Sequence, residues 1–405
     1  MKPKNNNDTF SGRKSLKFFL FFLLLGVSFF GFNFLFGQEF PIFHGCAISP
    51  RHYMWVCEKE SSYVFASWNG GLVWENLGKP VNTYRWLYDI FFLNDTLGWV
   101  AAEGGFIFYT PDGGLSWQTQ SQGGSKFAQR VFMLNKNYGW VACGEAIVLK
   151  TTDGGEYWEQ IILPNPPFPV DTVDFYGISF IDSLKGWVCA GRYPQGDTFI
   201  KGQGYIAKTT NGGDTWTLLL KDSIYDFFDC HFISENEGWV VGGNDQTLEP
   251  CILHTTDGGF SWKRQSVPSG NYLRACHFIG RKGWVSGMLG TILHTTDGGQ
   301  NWVAQANPAT QTLFDIEFID SLSGIASGTG VVLYTKDGGR NWLIANVGIK
   351  EDQRPCPFTP FNAKRRINPR KMKIFDALGR RCTTVKKGVY FIEDKKSIKK
   401  LVILR

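Results

Sequence analysis

Charged side chains are scarce: Asp, Glu, Lys and Arg make up 19% of the 405 residues, below the roughly 25% of an ordinary soluble domain. That shortage argues against helical bundles and coiled coils, whose exposed faces are laced with charge. Nine cysteines (46, 57, 143, 189, 230, 251, 276, 356 and 382) include no Cys-x-x-Cys pair and no spacing with histidine that suits a metal. Their odd number excludes a fully paired disulfide framework within the chain. Cys230 and Cys276 stand at matching places in DCHFI and ACHFI, which suits small core residues and leaves a disulfide between them open. No P-loop, dinucleotide fingerprint, HExxH pair, nucleophile elbow or EF-hand loop occurs, so no cofactor and no metal are expected. What is abundant is Gly (47), Phe (34) and Trp (15), the composition of many short strands and tight turns, and so of an all-β protein.

The net charge of +6 is the sum of three unlike regions. Residues 1–17 carry +4 and residues 350–405 carry +12, which leaves −10 for residues 18–349. An acidic body is a poor surface for phosphates, so nucleic acid is excluded as its partner. The basic run ending at Lys17 is followed by an apolar stretch from Phe18 to Phe36, the order of a signal peptide. Cleavage is expected between Gly37 and Gln38, with an uncleaved anchor as the alternative. Either way the rest of the chain leaves the cytoplasm.

One eight-residue pattern recurs: Ser/Thr, any, Asp/Asn, Gly, Gly, any, any, Trp. Its third position falls at Asn69, Asp112, Asp153, Asn211, Asp257, Asp297 and Asp337, at spacings of 43, 41, 58, 46, 40 and 40. In phase with it runs a Gly-Trp-Val segment at Gly98, Gly139, Gly186, Gly238 and Gly283, with Gly324 and Met54 opening degenerate copies. An apolar stretch precedes each. A period near 40 made of four short strands is one propeller blade, and seven units predict a seven-bladed β-propeller over residues 38–349. Asp-Gly and Asn-Gly suit tight hairpins, and Ser or Thr two places earlier is able to bond back across the turn. The closing Trp supplies a packing face. All seven box residues are therefore read as architectural.

These boxes resemble the Asp-box, or bacterial neuraminidase repeat, propellers. GTILHTTDGGQNW at Gly290–Trp302, with GWV ahead of it, is most similar to the photosystem II assembly-factor-like seven-bladed group. The resemblance covers about residues 40–347 and speaks for the fold more than for function. Sialidases and some endoglucanases share the box. The sialidase chemistry implied by that likeness needs an arginine triad, a Tyr with a Glu partner and an early Arg-Ile-Pro motif, and Arg-Ile-Pro is absent.

Two long spacings mark insertions, CAGRYPQGDTFIKGQGYIAKTT and VGGNDQTLEPCILHTT, both between the second and third strands of a blade. Those loops share one end of the ring with the starts of the inner strands, and the boxes lie toward the other end. Added length on one face reads as recognition surface. Candidate ligand-binding residues on that face are Arg85, Trp86, Asp89, Arg130, Tyr176, Arg192, Tyr193, Tyr225, Asp229, Tyr272, Arg274 and Asp315, accompanied by Tyr88, Asp174, Asp226 and Phe314. Aromatics mixed with Asp and Arg suit a glycan or a protein segment. The competing reading is that Asp89, Asp229 and Asp315, equivalent in three blades, bond backbone near the axis. Of the six histidines, His231 matches His277 and His254 matches His294, and repeat equivalence favours packing.

After Val347 the repeat stops, and residues 350–371 are rich in Pro and charge, as a linker is. MKIFDALGRR, KKGVYFIED and KKLVILR follow. They resemble the C-terminal sorting domain of type IX secretion substrates, over residues 372–405, without strands between Arg381 and Lys387; a small accessory β-module is the alternative. Taken together, the expectation is an exported, monomeric, non-catalytic propeller that binds a glycan or protein and engages the type IX machinery through its tail. A secreted glycoside hydrolase and a periplasmic assembly factor for a membrane complex are the rivals.

Overall fold

The computed structural model describes residues 40–347 except 82–83, 123–126, 164–172, 192–203, 245 and 269–270, together with the backbone of four short tail strands. The expected signal segment 1–37 and its cleavage point, the expected linker 350–371 and the candidates Arg192 and Tyr193 lie outside the described residues.

Seven antiparallel four-stranded sheets follow one another, each built from consecutive strands. They cover residues 43–78, 87–122, 128–162, 174–222, 226–264, 273–304 and 313–344 and form the seven blades. The inner strands are Phe43–Ile48, Leu87–Phe92, Ala128–Met133, Asp174–Phe180, Asp226–Phe232, Leu273–Ile279 and Leu313–Phe318. Each Gly-Trp-Val segment is the second strand of its blade, fully buried. The boxes are the hairpins between third and outer strands. At Thr110 the hydroxyl donates to Asp112 Oδ1 (2.8 Å) and accepts the Gly114 N–H (2.8 Å). The Ser116 N–H then donates to the same carboxylate oxygen. Both glycines hold positive φ, 80° and 93° in this box, a region that only glycine adopts without strain.

The Gly-Trp-Val strand also joins the blades, which the repeat pattern alone does not reveal. The indole of Trp55 donates to the carbonyl of Gly113 in the next blade's box (2.9 Å). Trp140, Trp187, Trp239 and Trp284 do the same with Gly212, Gly258, Gly298 and Gly338. Trp99 reaches Gly154 through Gln120. Met133 ends the strand that follows Trp99; against the face of the other five indoles lies a phenylalanine from the end of the next inner strand, as in Trp187–Phe232, stacked at 3.8 Å. The glycine ahead of Trp makes room for it: a Cβ at Gly238 would stand 2.3 Å from the Phe232 ring.

The joint between the seventh and first blades differs. Ile325 occupies the Trp position, and the Tyr334 ring lies against Gly71 instead. Closure rests on an apolar cluster that includes Phe43, Ile48, Phe65, Ile325 and Val332, a bridge from Ile42 to Thr329, and the Gly330 N–H donating to Pro41 O (2.6 Å). Among the described residues no strand is exchanged between first and last blades.

The seven described cysteines are buried thiols; Cys230 and Cys276 form no disulfide and serve as core residues. In the tail, the strands pair in the order Arg381–Cys382, Lys373–Asp376, Gly388–Asp394, Ser397–Ile403. Arg381–Cys382 is thus a short fourth strand where the sequence reading expected none: its pairing is two residues long, below the length at which alternation is visible.

Candidate functional site

Every inner strand carries one residue more than its neighbour can pair. The register skips His44, Tyr88, Gln129, Tyr176, Phe228, Arg274 and Phe314, one per blade and at equivalent places. Such bulges bend the strand and re-aim the extra side chain. Here they bring the extra residues together at the end of the ring where the inner strands begin. Tyr176 meets Phe228 at 4.9 Å between ring centroids. The Arg274 guanidinium lies 4.3 Å from the Phe228 ring and 6.0 Å from that of Phe314. Phe314 stacks on His44 at 4.9 Å, and His44 stands edge-on to Tyr88 at 5.7 Å. Gln129 is the seventh member, also buried. The result is a collar around the axis.

One residue further along lies a polar lock. The carboxylates of Asp89, Asp229 and Asp315 each accept an N–H of the following blade, from Val131 (2.8 Å), Cys276 (3.0 Å) and Cys46 (2.9 Å). Arg130 crosses from the third blade to Asp315 (2.8 Å), Asp229 (3.4 Å) and Glu317 (3.5 Å). Glu317 also meets His277 Nδ1 at 2.8 Å. Burial pushes the Asp89 carboxyl up to about 7 and that of Asp229 up to about 6, and Arg130 is the largest opposing influence on both. Burial, aided by Arg130, holds His231 well below the ordinary imidazole range.

Above the collar the chemistry changes sign. Lys59, from the loop between the second and third strands of the first blade, lies 5.1 Å from the Trp86 ring and 5.0 Å from that of Tyr88. Burial, then the Arg274 charge, lower it to about 8. Burial and the Lys59 charge bring His44 down to about 3, so its imidazole is neutral. Arg85 covers the Phe106 ring at 3.8 Å. Among the described residues no ion pair joins Lys59, Arg85 or Arg274 to a carboxylate, and the Nε atoms of both arginines are buried without an acceptor.

Backbone strain gathers at the same end. Ser62, Glu145, Ala146, Leu248 and Leu289, all in loops between second and third strands, hold φ between 53° and 65°. A left-handed residue other than glycine costs roughly 1–2 kcal/mol, and such strain tends to cluster at binding sites. The two leucines belong to an apolar patch with Tyr176, Phe228, Tyr272 and Met288. The second insertion contributes Leu248, folded inward by Asn244 Oδ1, which accepts the N–H groups of Gln246 and Thr247.

The candidates from the sequence therefore separate. Trp86, Arg85, Tyr176, Tyr272 and Arg274 surround the mouth. Tyr225 stands at the rim, where Arg264 covers its ring, donates to its hydroxyl and pairs with Glu249 (2.7 Å). Asp89, Arg130, Asp229 and Asp315 are inside the polar lock and face one another. Sequence reasoning missed His44, Lys59, Phe228, Leu248, Met288 and Leu289. Aligning the seven inner strands on the residue after the bulge would have found His44 and Phe228. Nothing in the repeat marks Lys59.

A family model described as photosynthesis system II assembly factor YCF48 matches residues 69–226 and 214–307. No curated protein matches the chain. Among solved structures, YCF48 bound to a D1 peptide is 15% identical, covers 74% of this chain and 94% of its own, and superposes with a TM-score of 0.57. YCF48 from Cyanidioschyzon merolae is also 15% identical, over 74% and 96% of the two chains at a TM-score of 0.56. The virginiamycin B lyase of Staphylococcus aureus is 13% identical, over 74% and 95% at 0.57. At these identities the likeness speaks for the fold, and it is the family match, spanning more than half of the residues, that assigns the chain to the YCF48 photosystem II assembly-factor family of β-propellers.

Proposed function

We propose that the chain is an exported binding module that takes a segment of another protein at the mouth of the ring and does no chemistry on it. The observation that carries this reading is the collar: seven bulged residues, one from each blade, close the axis beneath strained loops and leave aromatic and cationic groups facing outward. A surface of rigid aromatics and arginine is the usual anchor for a protein ligand. Membership of a family in which YCF48 has been seen with a D1 peptide supports a protein ligand over a glycan. The carboxylates that a glycoside hydrolase would need near the axis, Asp89, Asp229 and Asp315, are occupied with backbone N–H groups and Arg130, which favours binding over hydrolysis. Export and sorting by type IX machinery rest on the basic and apolar N-terminus and on the tail motifs.

The test is a fluorescence titration of the full chain with labelled ten-residue peptides, alongside a panel of soluble oligosaccharides followed by product analysis. Saturable peptide binding is expected to weaken about tenfold in Trp86→Ala and to be unchanged in Tyr157→Ala, an exposed aromatic of the box face. Shortened oligosaccharides, or peptide binding that follows Tyr157 rather than Trp86, would overturn the proposal.

A further inference from the structure

Among the described residues Lys59, Arg85 and Arg274 make no ion pair with a carboxylate, and each lies partly buried against an aromatic ring. Elsewhere Arg130, Lys150, Lys185, Arg264 and Arg281 all pair with Asp or Glu. Lys59 and Arg274 are close enough at the mouth to repel each other, on a body whose residues 18–349 sum to −10. Their surroundings make that costly. Lys59 is held between Trp86 and Tyr88, which remove its water, and Arg274 repels it. Glu60 and Glu103 act in the opposite direction on Lys59 but more weakly than Arg274 does. Arg274 is sandwiched by Phe228 and Tyr272, with its Nε unmatched. An arriving anion would satisfy these donors and remove the repulsion in one step, which is the condition for a charge-assisted contact to be strong.

Beside these cations lies the apolar patch of Leu248, Met288 and Leu289 on Phe228 and Tyr272. Two of its leucines are held in a left-handed conformation, so the patch is shaped by backbone that the surroundings must hold in place. Charge and apolar surface adjoin within one mouth, and Arg274 touches both.

We propose that the mouth selects an acidic protein segment, with a carboxylate of the ligand shared by Lys59 and Arg274 and a neighbouring apolar side chain seated on Leu248, Met288 and Leu289. This rests on the reading of the mouth as a protein-binding site and adds the chemistry of the segment. The same carboxylate is available from an Asp or Glu side chain or from a free chain end.

The experiment is fluorescence anisotropy of the full chain with four nine-residue peptides: Leu-Glu-Leu-Asp-rich with an amidated end, its Gln/Asn counterpart, that counterpart with a free carboxylate end, and a Lys-rich version. An oligoglucuronate forms a fifth arm. The acidic peptide is expected to bind at least about tenfold more tightly than the neutral one, and more tightly at low salt than at high salt. Lys59→Met and Arg85→Met should each shrink the acidic-to-neutral ratio severalfold, and Arg274→Met should bring it near one. Melting curves of the variants show whether the fold persists; if Arg274→Met fails to fold, Lys59→Met and Arg85→Met decide. Tighter binding of the free-end peptide than of the amidated acidic one identifies the terminal carboxylate as the source; the reverse identifies side chains. Equal affinity for acidic and neutral peptides, or a ratio indifferent to Lys59, overturns the acidic selection while leaving the protein-segment reading intact. Preference for oligoglucuronate overturns the choice of a protein ligand, and failure of every peptide to bind overturns both.

Discussion

Replacing Arg130 with Met is the sharpest perturbation of the ring. The Arg130 side chain is 18% exposed, and it lies between Asp315 and Asp229, whose side chains are 1% and 3% exposed. Methionine fills the space of the stem but leaves those carboxylates and Glu317 facing one another in a site with little water. Removing one partner of a buried ion pair costs about 3–5 kcal/mol, because the remaining charge is uncompensated. For a domain of this size, with roughly 2 °C per kcal/mol, the melting midpoint should fall by about 6–10 °C at pH 8. Arg130→Lys, which keeps the charge but loses the fork that spans blades, should fall in between.

The pH dependence separates this account from simple loss of packing. Asp89 and Asp229 have native pKa values raised to about 7 and about 6, above the ordinary carboxyl value near 4. Between about pH 4 and pH 7 the native state therefore holds more protons than the unfolded state, and stability falls as pH rises through that window. Without Arg130 the same carboxyls rise further, so the protonated lock at pH 5 loses less than the ionised lock at pH 8. Tryptophan-fluorescence denaturation of both proteins at the two pH values measures the difference. A loss at pH 8 under about 1 kcal/mol, or one equal at both pH values, refutes the reasoning.

Three further outcomes are expected. Gly238→Ala places a Cβ 2.3 Å from the Phe232 ring, and overpacking of this kind should cost about 1–3 kcal/mol in urea denaturation, with peptide binding retained. Asp297→Ala removes the acceptor of the Thr295 hydroxyl and the Asn301 N–H and should lower the melting midpoint with no change in ligand affinity; lost binding at an unchanged midpoint would make the box a site. Truncation after Val347 should leave a folded propeller trapped in the periplasm of its native host, and mass spectrometry of the exported form should find a start near Gln38 and an end before Met372; an intact Arg405 on the exported protein would reject the sorting role.

The blade count and the box hairpins were legible because Asp112, Thr110 and their equivalents act within one turn, and local hydrogen bonding leaves a fixed spacing. The Gly-Trp-Val strand was legible as a strand but not as a latch, since Trp187 finds Gly258 from a different blade and spacing within a repeat does not register contacts between repeats. The site was less legible. A bulge is a mismatch between two strands, so His44 and Phe228 stand out only when inner and second strands are laid side by side. Asp89 and Arg130 have the residue types of a ligand site, but their burial in the lock is a property of the closed ring. Lys59 owes its place to a loop that no pattern constrains.

Six of the seven joints are held twice, by the chain running across them and by an indole or its glutamine relay; among the described residues the joint at Ile325 has neither. It is therefore the place where the ring meets itself as two separate surfaces. Its resistance to opening depends on apolar contact and on the bonds from Cys46 to Asp315 and from Gly330 to Pro41. Transient parting of the propeller should begin there, and amide exchange at Cys46 and Gly330 should outpace that at Val131 and Cys276, whose N–H groups meet carboxylates of the same kind across latched joints. A circular permutant that links residue 347 to residue 40 and opens the chain elsewhere would move the free ends to a latched joint and give every boundary at least one of the two restraints. The natural order of blades thus places the break between first and last blades at the least fastened boundary, and the line along which the ring is expected to part is marked by Ile325 standing where every other blade carries tryptophan.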